Sequence, residues 1–223
     1  MSARPELTMK GSEPTSTRLV VTLGFAGLLS GLIIVSVYEA TLPTITAYKA
    51  KVLKEAVFKV LPGVSSMQRL TYRDGRMTAA TGEEEEEDLV FGGYAADGQL
   101  IGYAVPNAGP GFQDTIRLLY GYLPQERKVV GMEILQSRET PGLGDKIYKD
   151  AAFVANFEKL SIDPEIVTVK KGRKSAPNEV DAITGATISS KAVVQIINRG
   201  NQRWVPRFSG SETMPKPTPV GGK

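Results

Sequence analysis

The sequence predicts an α+β fold, with one transmembrane helix followed by a single domain in which helices pack on a twisted, mainly antiparallel sheet. Three observations predict it. An uncharged apolar stretch lies near the N-terminus, short β-rich runs fill the middle of the chain, and later segments carry apolar residues at helical spacing. Helices packed against one sheet are the layer arrangement that buries the apolar faces of such elements.

The apolar stretch is residues 19–38, which contain no charged side chain. In a helix these residues cover about 30 Å, the thickness of the hydrocarbon core of a bilayer. Arg18 at one end, and Tyr38 with Glu39 at the other, are typical interfacial flanks. A cleaved signal peptide or a buried core helix is the alternative, but no convincing small-x-small cleavage site follows the stretch. We therefore predict a transmembrane helix over residues 19–38.

Basic residues set the predicted orientation of this helix. The leading residues 1–18 contain Arg4, Lys10 and Arg18, whereas no lysine follows the span until Lys49. By the positive-inside rule, residues 1–18 form a cytoplasmic N-terminal tail. The chain from about residue 39 onward then faces the periplasm or the exterior.

Next along the chain, apolar residues recur at three- and four-residue intervals from Ile45 to Leu61, ahead of Pro62-Gly63. This pattern predicts an amphipathic connecting helix within residues 39–65. A single globular domain is predicted over residues 66–206. Its predicted strands are short runs separated by turn residues, at 70–72, 89–95, 100–105, 116–122, 129–136 and 165–169.

Two further helices are predicted in this domain. One covers Asp145 to Lys159, and the other begins near Thr187 and ends after about twelve residues at Gly200. The single tryptophan, Trp204, is predicted to be a packing anchor near the end of the fold. Residues 207–223, rich in Ser, Pro, Gly and Lys, are predicted to be a disordered tail.

The composition excludes several kinds of site. Cysteine and histidine are both absent, which excludes iron–sulfur clusters, thiolate zinc sites, disulfides and catalysis by imidazole or thiol from this chain. Redox chemistry would therefore need an organic cofactor. The net charge of +3 gives no basis for nucleic-acid binding. The acidic run 83–88 is interpreted as a solvated loop, with a metal site as the alternative.

One motif in residues 181–192 predicts a phosphate site. Gly185 and Ala186 leave space in front of Thr187, where the amphipathic helix begins. The first turn of a helix offers unpaired N–H groups and the positive end of the helix dipole, and Lys191 adds a cation one turn later. The alternative, on these residues alone, is that Thr187 is an ordinary helix N-cap.

A second motif, residues 139–144, predicts a rigid turn that a flat ligand can approach. Pro141, Gly142 and Gly144 restrict the turn and leave its backbone uncovered. Thr140 offers a hydroxyl donor to a ring carbonyl, and Leu143 offers an apolar side chain for a ring face. An ordinary Pro-Gly loop between a strand and a helix is the alternative.

The run from Asp181 to Ser189 resembles the flavin-attachment motif of the FMN-binding domains of the Rnf and Nqr respiratory complexes. The run Glu139-Thr-Pro-Gly-Leu-Gly resembles the loop that lies against the isoalloxazine ring in the same families. The resemblance implies one FMN per chain, held by a phosphoester to Thr187. It also implies flavin contacts by two groups of residues: Asp181, Thr184, Gly185, Ala186 and Lys191, and Glu139, Thr140, Gly142, Leu143 and Gly144.

The resemblance further implies a role as a membrane-anchored electron carrier in the bacterial inner membrane. The partners it implies are the other membrane and redox subunits of an Rnf complex, together with a flavin transferase. We add the hypothesis that Asp181 and Lys191 help present the site to that transferase. It implies no catalytic residue and no metal. Two alternatives remain: the C-subunit type of the sodium-translocating NADH:quinone oxidoreductase, and a cofactor-free, membrane-tethered interaction module in which Thr187 is only an N-cap.

Overall fold

The structure is a computed structural model that describes residues 16–82 and 88–209. The chain divides into two compact units, residues 1–50 and 51–223. Residues 1–15 and 210–223, and residues 83–87 of the acidic run, lie outside the described part of the chain, so the predictions made for them remain predictions.

The first unit contains most of helix α1, Ser16–Val60. Its apolar side chains are exposed, and it is long and apolar enough to cross a membrane. The hydroxyls of Thr22, Thr41 and Thr46 donate to backbone carbonyls one turn earlier, so they are satisfied without water. Where the sequence predicts a span and then a separate amphipathic helix, the structure has one continuous helix.

The second unit is built on a seven-stranded sheet in which all neighbouring strands are antiparallel, in the order β2-β1-β3-β4-β5-β6-β7. This confirms the α+β class with a mainly antiparallel sheet. The strands are β1 Ser66–Arg73, β2 Arg76–Ala79, β3 Leu89–Tyr94, β4 Leu100–Pro110, β5 Thr115–Leu123, β6 Lys128–Gln136 and β7 Leu160–Ser161.

Both faces of the sheet are covered, because alternate residues of each strand bury against different elements. On one face Tyr103 and Tyr120 belong to the large core that includes Trp204. On the other face Ala104 and Leu119 join the smaller cluster made with the last turn of α1 and Leu61. Burial of the sheet on both sides fixes the register of the strands that carry the site.

The chain leaves β6 through the 137–145 loop and enters two short helices, α2 Lys146–Lys149 and α3 Ala151–Ala155. The sequence predicts a single helix from Asp145 to Lys159, and this is wrong at Asp150. Its backbone is extended (φ −83°, ψ 102°), and its carboxylate caps α3 by accepting from the Ala152 and Phe153 amides. Asp is a favoured N-cap because it supplies this acceptor.

The domain closes with β8 Val167–Val169, β9 Glu179–Asp181 and helix α4 Thr187–Ser209. β8 and β9 pair in parallel as a separate two-stranded sheet. Helix α4 does not end at Gly200 as predicted. Gly200 instead lies within α4 and packs closely on Tyr120: a Cβ on Gly200 would approach the Tyr120 hydroxyl to 2.5 Å.

The predicted start of a disordered tail at residue 207 is wrong for Arg207 and Phe208, which lie in α4. Phe208 is buried and stacks on Tyr103, with ring centroids 3.8 Å apart and planes within 3°. Trp204 is buried beside it, as predicted for a packing anchor. Arg207 lies over the Trp204 ring at 5.0 Å, a cation–π contact.

Candidate functional site

Thr187 is the first residue of α4, and its side chain faces solvent. The chain reaches it through β9, then the buried Ile183 and an exposed turn at Thr184 and Gly185. Gly185 has φ +82°, a left-handed conformation that residues with a Cβ rarely adopt. The sequence therefore needs glycine two residues before Thr187, and the turn leaves the threonine hydroxyl accessible.

Ser190 fastens this turn from inside the protein. Its buried hydroxyl accepts the Ile183 amide at 3.1 Å and donates to the Ala186 carbonyl at 2.9 Å. The Ala186 amide in turn donates to the Ile183 carbonyl at 3.0 Å. These bonds hold the residues before Thr187 in one conformation, so the threonine stands on a rigid support.

The surroundings of Thr187 favour an anion. As the first helical residue, Thr187 lies where α4 presents unpaired amides and the positive end of its dipole. Lys191 is exposed and lies four residues later, on the same face of the helix. A phosphate bound near Thr187 Oγ1 would meet both the amides and this ammonium group.

Glu139 connects three separate segments of the chain close to the start of α4. Its carboxylate is buried, and Oε1 accepts the Phe112 and Gln113 amides at 2.9 and 3.0 Å. The other oxygen, Oε2, accepts a short hydrogen bond from the buried Ser189 hydroxyl on α4. The carboxylate thus joins the β4–β5 loop, the 139–144 loop and the first turn of α4.

The 139–144 loop turns sharply after Thr140. The Thr140 carbonyl accepts the amides of Leu143 and Asp145, at 3.2 and 3.3 Å. Leu143 projects outward with half of its surface exposed, and its Cδ2 lies 3.9 Å from where a Cβ on Gly185 would be. The two sequence motifs therefore meet in the folded protein.

Gly144 makes the close packing of this loop possible. A Cβ on Gly144 would lie 2.6 Å from Glu139 Oε2 and 3.1 Å from Ser189 Oγ. The first of these distances is too short for a real carbon contact, so a larger residue would displace the carboxylate. Gly142, by contrast, has open space around it and φ +78°, which leaves the outer surface of the turn uncovered.

The sequence of this region matches a known domain family. The sequence profile of the FMN-binding domain family matches residues 111–202, a range that contains both motifs. The chain is 34% identical to the G subunit of the Na⁺-translocating ferredoxin:NAD⁺ oxidoreductase complex of Acetobacterium woodii, over 65% of this chain and 70% of that protein. It is 30% identical to the G subunit of the proton-translocating ferredoxin:NAD⁺ oxidoreductase complex of Clostridium ljungdahlii, over 76% and 91%.

The chain belongs to the G-subunit family of ion-translocating oxidoreductase complexes. A further member, from Methanosarcina acetivorans, is 28% identical over 82% of this chain and 90% of its own length. Together with the FMN-binding domain match, this membership makes the chain a flavoprotein subunit of an ion-translocating oxidoreductase.

Two solved structures have the same fold. The Shewanella oneidensis NqrC structure superposes with a TM-score of 0.56 at 18% identity, covering 74% of this chain and all of that one. The C subunit of the Na⁺-translocating NADH-quinone reductase from Parabacteroides distasonis gives 0.53 at 22% identity, covering 67% and 80%. The fold is therefore shared between the G-subunit family and these two proteins.

Not every residue that the sequence singles out faces the site. In this G-subunit family member the Asp181 carboxylate accepts the Arg173 and Lys174 amides, both at 3.1 Å. Its own amide donates to Asn156 Oδ1 at 3.2 Å. Asp181 thus holds the 172–174 loop in place. Thr140 Oγ1 lies 3.4 Å from Gln113 Oε1, which adds a side-chain contact between the two loops.

Sequence reasoning did not find Phe112 or Ser189. Phe112 lies in a loop between two strands with no motif around it, and only the fold brings that loop to Glu139. Ser189 lies inside the motif of residues 181–192, where its hydroxyl could have been recognised as a partner for a buried acid. The signal for such an acid is Glu139 itself, which opens a glycine-rich stretch.

The residue after the loop, Asp145, is buried and paired with Lys149 at 2.6 Å. The hydrogen bond from Lys149 lowers the pKa of the Asp145 carboxyl, and the same bond raises the pKa of Lys149. This i,i+4 pair fixes the end of the 139–144 loop to α2.

Proposed function

We propose that this chain carries one FMN joined through its phosphate to Thr187 Oγ1, and that it relays electrons within an ion-translocating oxidoreductase complex. One observation carries the proposal: Thr187 is exposed at the first position of α4, directly beside the loop that the second motif forms. The FMN-binding domain match over the same residues supports the choice of ligand.

The residues around Thr187 fit a bound FMN. The phosphodiester carries a negative charge, which the amides at the start of α4 and the ammonium of Lys191 would stabilise. The exposed Leu143 and the uncovered turn at Gly142 offer a surface for a flat ring. Bound FMN supplies the redox chemistry that a chain without cysteine or histidine does not supply.

Attachment of the flavin needs a second protein. A threonine hydroxyl is a weak nucleophile without a neighbouring base, and this chain has no histidine to act as one. We assign the reaction to a flavin transferase acting on a flavin dinucleotide. Thr187 Oγ1 would bond to the phosphorus next to the flavin, the phosphoanhydride bond would break, the nucleoside monophosphate would leave, and the hydroxyl proton would pass to the transferase.

The length of α1 and the charges that flank it support the proposed anchoring and sidedness. The helix is long and apolar enough to span a bilayer once, and Arg4, Lys10 and Arg18 favour a cytoplasmic N-terminus. We propose that the FMN-binding domain faces the periplasm of a bacterial inner membrane. A covalent bond is useful there, because a dissociated cofactor would be diluted. The partners would be the other membrane and redox subunits of the complex.

Mass spectrometry tests the proposal directly. The full chain is co-expressed with a flavin transferase, and the peptide containing Thr187 is expected to gain the mass of FMN less water. Thr187→Ala should abolish in-gel flavin fluorescence. Thr78→Ala, at an exposed threonine of β2, should retain it. Unmodified peptide and colourless protein would instead support the cofactor-free interaction module.

A further inference from the structure

The loop that follows β8 carries four basic side chains in five consecutive positions. Lys170, Lys171, Arg173 and Lys174 are all exposed, and we call residues 170–174 the basic turn. The whole chain has a net charge of only +3, so this one turn carries more positive charge than the excess of the entire sequence. Because like charges repel one another, such a group is stabilised when an anionic surface covers it.

Hydrogen bonds hold the backbone of the basic turn in one conformation. The Arg173 amide donates to the Lys170 carbonyl at 2.9 Å, and Gly172 has φ +75°, a left-handed conformation that favours glycine. The Asp181 carboxylate accepts the Arg173 and Lys174 amides, both at 3.1 Å. A loop that is already ordered loses little entropy when it binds a partner, so the basic turn is preorganised for binding.

The two nearby carboxylates bind backbone amides, which leaves the basic side chains without a bonded acid. Besides the bonds of Asp181, Glu179 Oε2 accepts the Ser175 and Ala176 amides at 2.6 and 3.1 Å. Residues 170–181 contain four basic and two acidic side chains, so the local charge stays positive.

Ion pairs do not cover the basic turn either. In the part of the chain that the structure describes, no ion pair joins one of its side chains to a carboxylate. The Lys174 ammonium lies 3.4 Å from Asn156 Oδ1, which is a neutral acceptor. Lys170, Lys171 and Arg173 therefore present their charges to solvent.

The basic turn is fastened to the segment that leads to Thr187. The Ala182 amide donates at 2.8 Å to the carbonyl of Val169, the residue just before the basic turn. The next amide, that of Ile183, donates to Ser190 Oγ in the first turn of α4. A partner that covers the basic turn would therefore lie beside the proposed flavin site.

We propose that the basic turn docks an acidic surface of another subunit of the oxidoreductase complex, and so brings that subunit close to the flavin. The benefit for electron transfer rests on the proposed attachment of FMN to Thr187, whereas the docking itself needs no flavin. The Arg173 guanidinium can bind a carboxylate through two parallel hydrogen bonds, and Lys170 and Lys171 act as point charges. Complementary charges of this kind orient two proteins and speed their association.

A surface with several carboxylates fits the basic turn better than a single phosphate does. Phosphate sites use backbone amides that converge on the anion, but the Arg173 and Lys174 amides are already bonded to Asp181. The basic side chains are instead spread along the turn, which suits several separate anions. A lipid surface is the other anionic candidate, yet residues 170–174 contain no apolar side chain that would insert among lipids.

Zero-length cross-linking tests the docking. A carbodiimide activates a carboxylate, a lysine amine in direct contact then forms an amide bond with it, and the carbodiimide leaves as its urea. In the complete complex containing the full chain, Lys170 or Lys171 is expected to link to an Asp or Glu of another subunit, as identified by mass spectrometry. The yield should fall as salt is raised from about 0.05 M to about 0.5 M, because ions screen exposed charges.

Arg173→Gln removes one charge and keeps both reporter amines. It should lower the cross-link yield at Lys170 and Lys171 by about 1.4- to fivefold, the factor that one exposed ion pair represents. Arg173→Lys, which keeps the charge, should restore most of the yield. Arg76→Gln is the matched control, at an exposed arginine where β2 begins, and should leave the yield unchanged.

A lipid arm separates the two anionic partners. The full chain alone is placed in phosphatidylcholine vesicles with and without phosphatidylglycerol, and its lysines are modified by an amine reagent. Lys170 and Lys171 should react equally in both kinds of vesicle and be protected only in the complex. Protection by phosphatidylglycerol without other subunits would overturn the docking and assign the basic turn to the membrane.

The remaining outcomes distinguish this inference from the proposed function. Absence of any link from Lys170 or Lys171 to a carboxylate of another subunit, in a complex that carries covalent flavin, would overturn the docking alone. Salt-dependent links in a complex whose Thr187 peptide is unmodified would support the docking and contradict the flavin attachment.

Discussion

Ser189 and Glu139, fifty positions apart in the sequence, are joined by a buried hydrogen bond in which the Ser189 hydroxyl donates to Glu139 Oε2. The bond connects the start of α4 to the loop after β6. Since the same carboxylate accepts two amides of the β4–β5 loop, the position of Thr187 is coupled to both loops that surround it.

Glu139→Gln should destabilise the domain. The substitution preserves shape but replaces one accepting oxygen with an amide group that faces a donor. Hydrogen bonds to charged groups contribute about 1.5–3 kcal/mol, so we expect a loss of about that size in the free energy of unfolding. Denaturant unfolding of the full chain in detergent, followed by the fluorescence of Trp204, measures it.

The control is Glu158→Gln, an exposed glutamate after α3. Surface substitutions of this kind change stability by less than about 0.5 kcal/mol. If Glu139→Gln were no more destabilising than Glu158→Gln, the hydrogen bonds of the Glu139 carboxylate would not stabilise the connection between the two loops and α4.

Gly144→Ala should perturb the site through Glu139. Its new Cβ would lie 2.6 Å from Glu139 Oε2, and overpacking of this kind costs about 1–3 kcal/mol. Because the two side chains would touch, Gly144→Ala and Glu139→Gln should be non-additive by about 0.5–3 kcal/mol in a double-mutant cycle.

Gly142→Ala provides the comparison for that cycle. Its Cβ would meet nothing within 4 Å, and its cost, about 1–2 kcal/mol, comes from the left-handed backbone alone. Combined with Glu139→Gln it should be additive to within about 0.5 kcal/mol. Equal coupling energies for Gly142→Ala and Gly144→Ala would argue against a steric contact at Gly144.

Phe208→Ala should destabilise the domain, even though the sequence predicts a disordered tail around Phe208. Phe208 is 5% exposed and stacks on Tyr103. Truncation of a buried phenylalanine costs about 3–5 kcal/mol. Thermal melting in detergent should show a clearly lower midpoint for Phe208→Ala, and none of this loss for Tyr148→Ala, an exposed aromatic. An unchanged midpoint for Phe208→Ala would mean that the end of α4 does not contribute to the core.

The sequence predicts the sheet better than it predicts the helices. Short β-rich runs identify β3 to β6 because turn residues bound each strand. The predicted helix ends were wrong where tertiary contacts override local signals: Gly200 is a stop signal that instead packs on Tyr120. Asp150 divides a predicted helix by capping α3, which a periodicity count does not detect.

The residues of the candidate site likewise divide into those that local motifs identify and those that depend on long-range contacts. The two motifs are local, so Thr187 and the 139–144 loop could be identified from sequence alone. Phe112 and the role of Glu139 depend on contacts between residues 26 and 27 positions apart, and Ser189 on one 50 positions apart, which no local pattern reveals. Asp181 looks like part of the flavin site in sequence, but its carboxylate is bonded to the 172–174 loop.

Lowering the pH should remove the stability that the ion pair between Asp145 and Lys149 contributes. The oxygen and nitrogen of this pair are 2.6 Å apart. The hydrogen bond from Lys149 lowers the pKa of Asp145 in the folded protein below its value in the unfolded chain. A group with a depressed folded pKa stabilises the fold fully above its unfolded pKa, about 3.9. That contribution is then lost as pH falls from that value through the lower, folded pKa.

Lys149→Gln removes the main cause of this shift, so the folded pKa of Asp145 should rise toward its unfolded value. The variant should be less stable than the unaltered chain at pH 7, and the difference should shrink as the pH is lowered below about 4. Denaturant midpoints measured from about pH 7 to about pH 3 test this. The control is Lys159→Gln, at an exposed lysine after α3. A stability difference that stayed constant over that range would show that Lys149 acts on α2 by packing and not through the charge of Asp145.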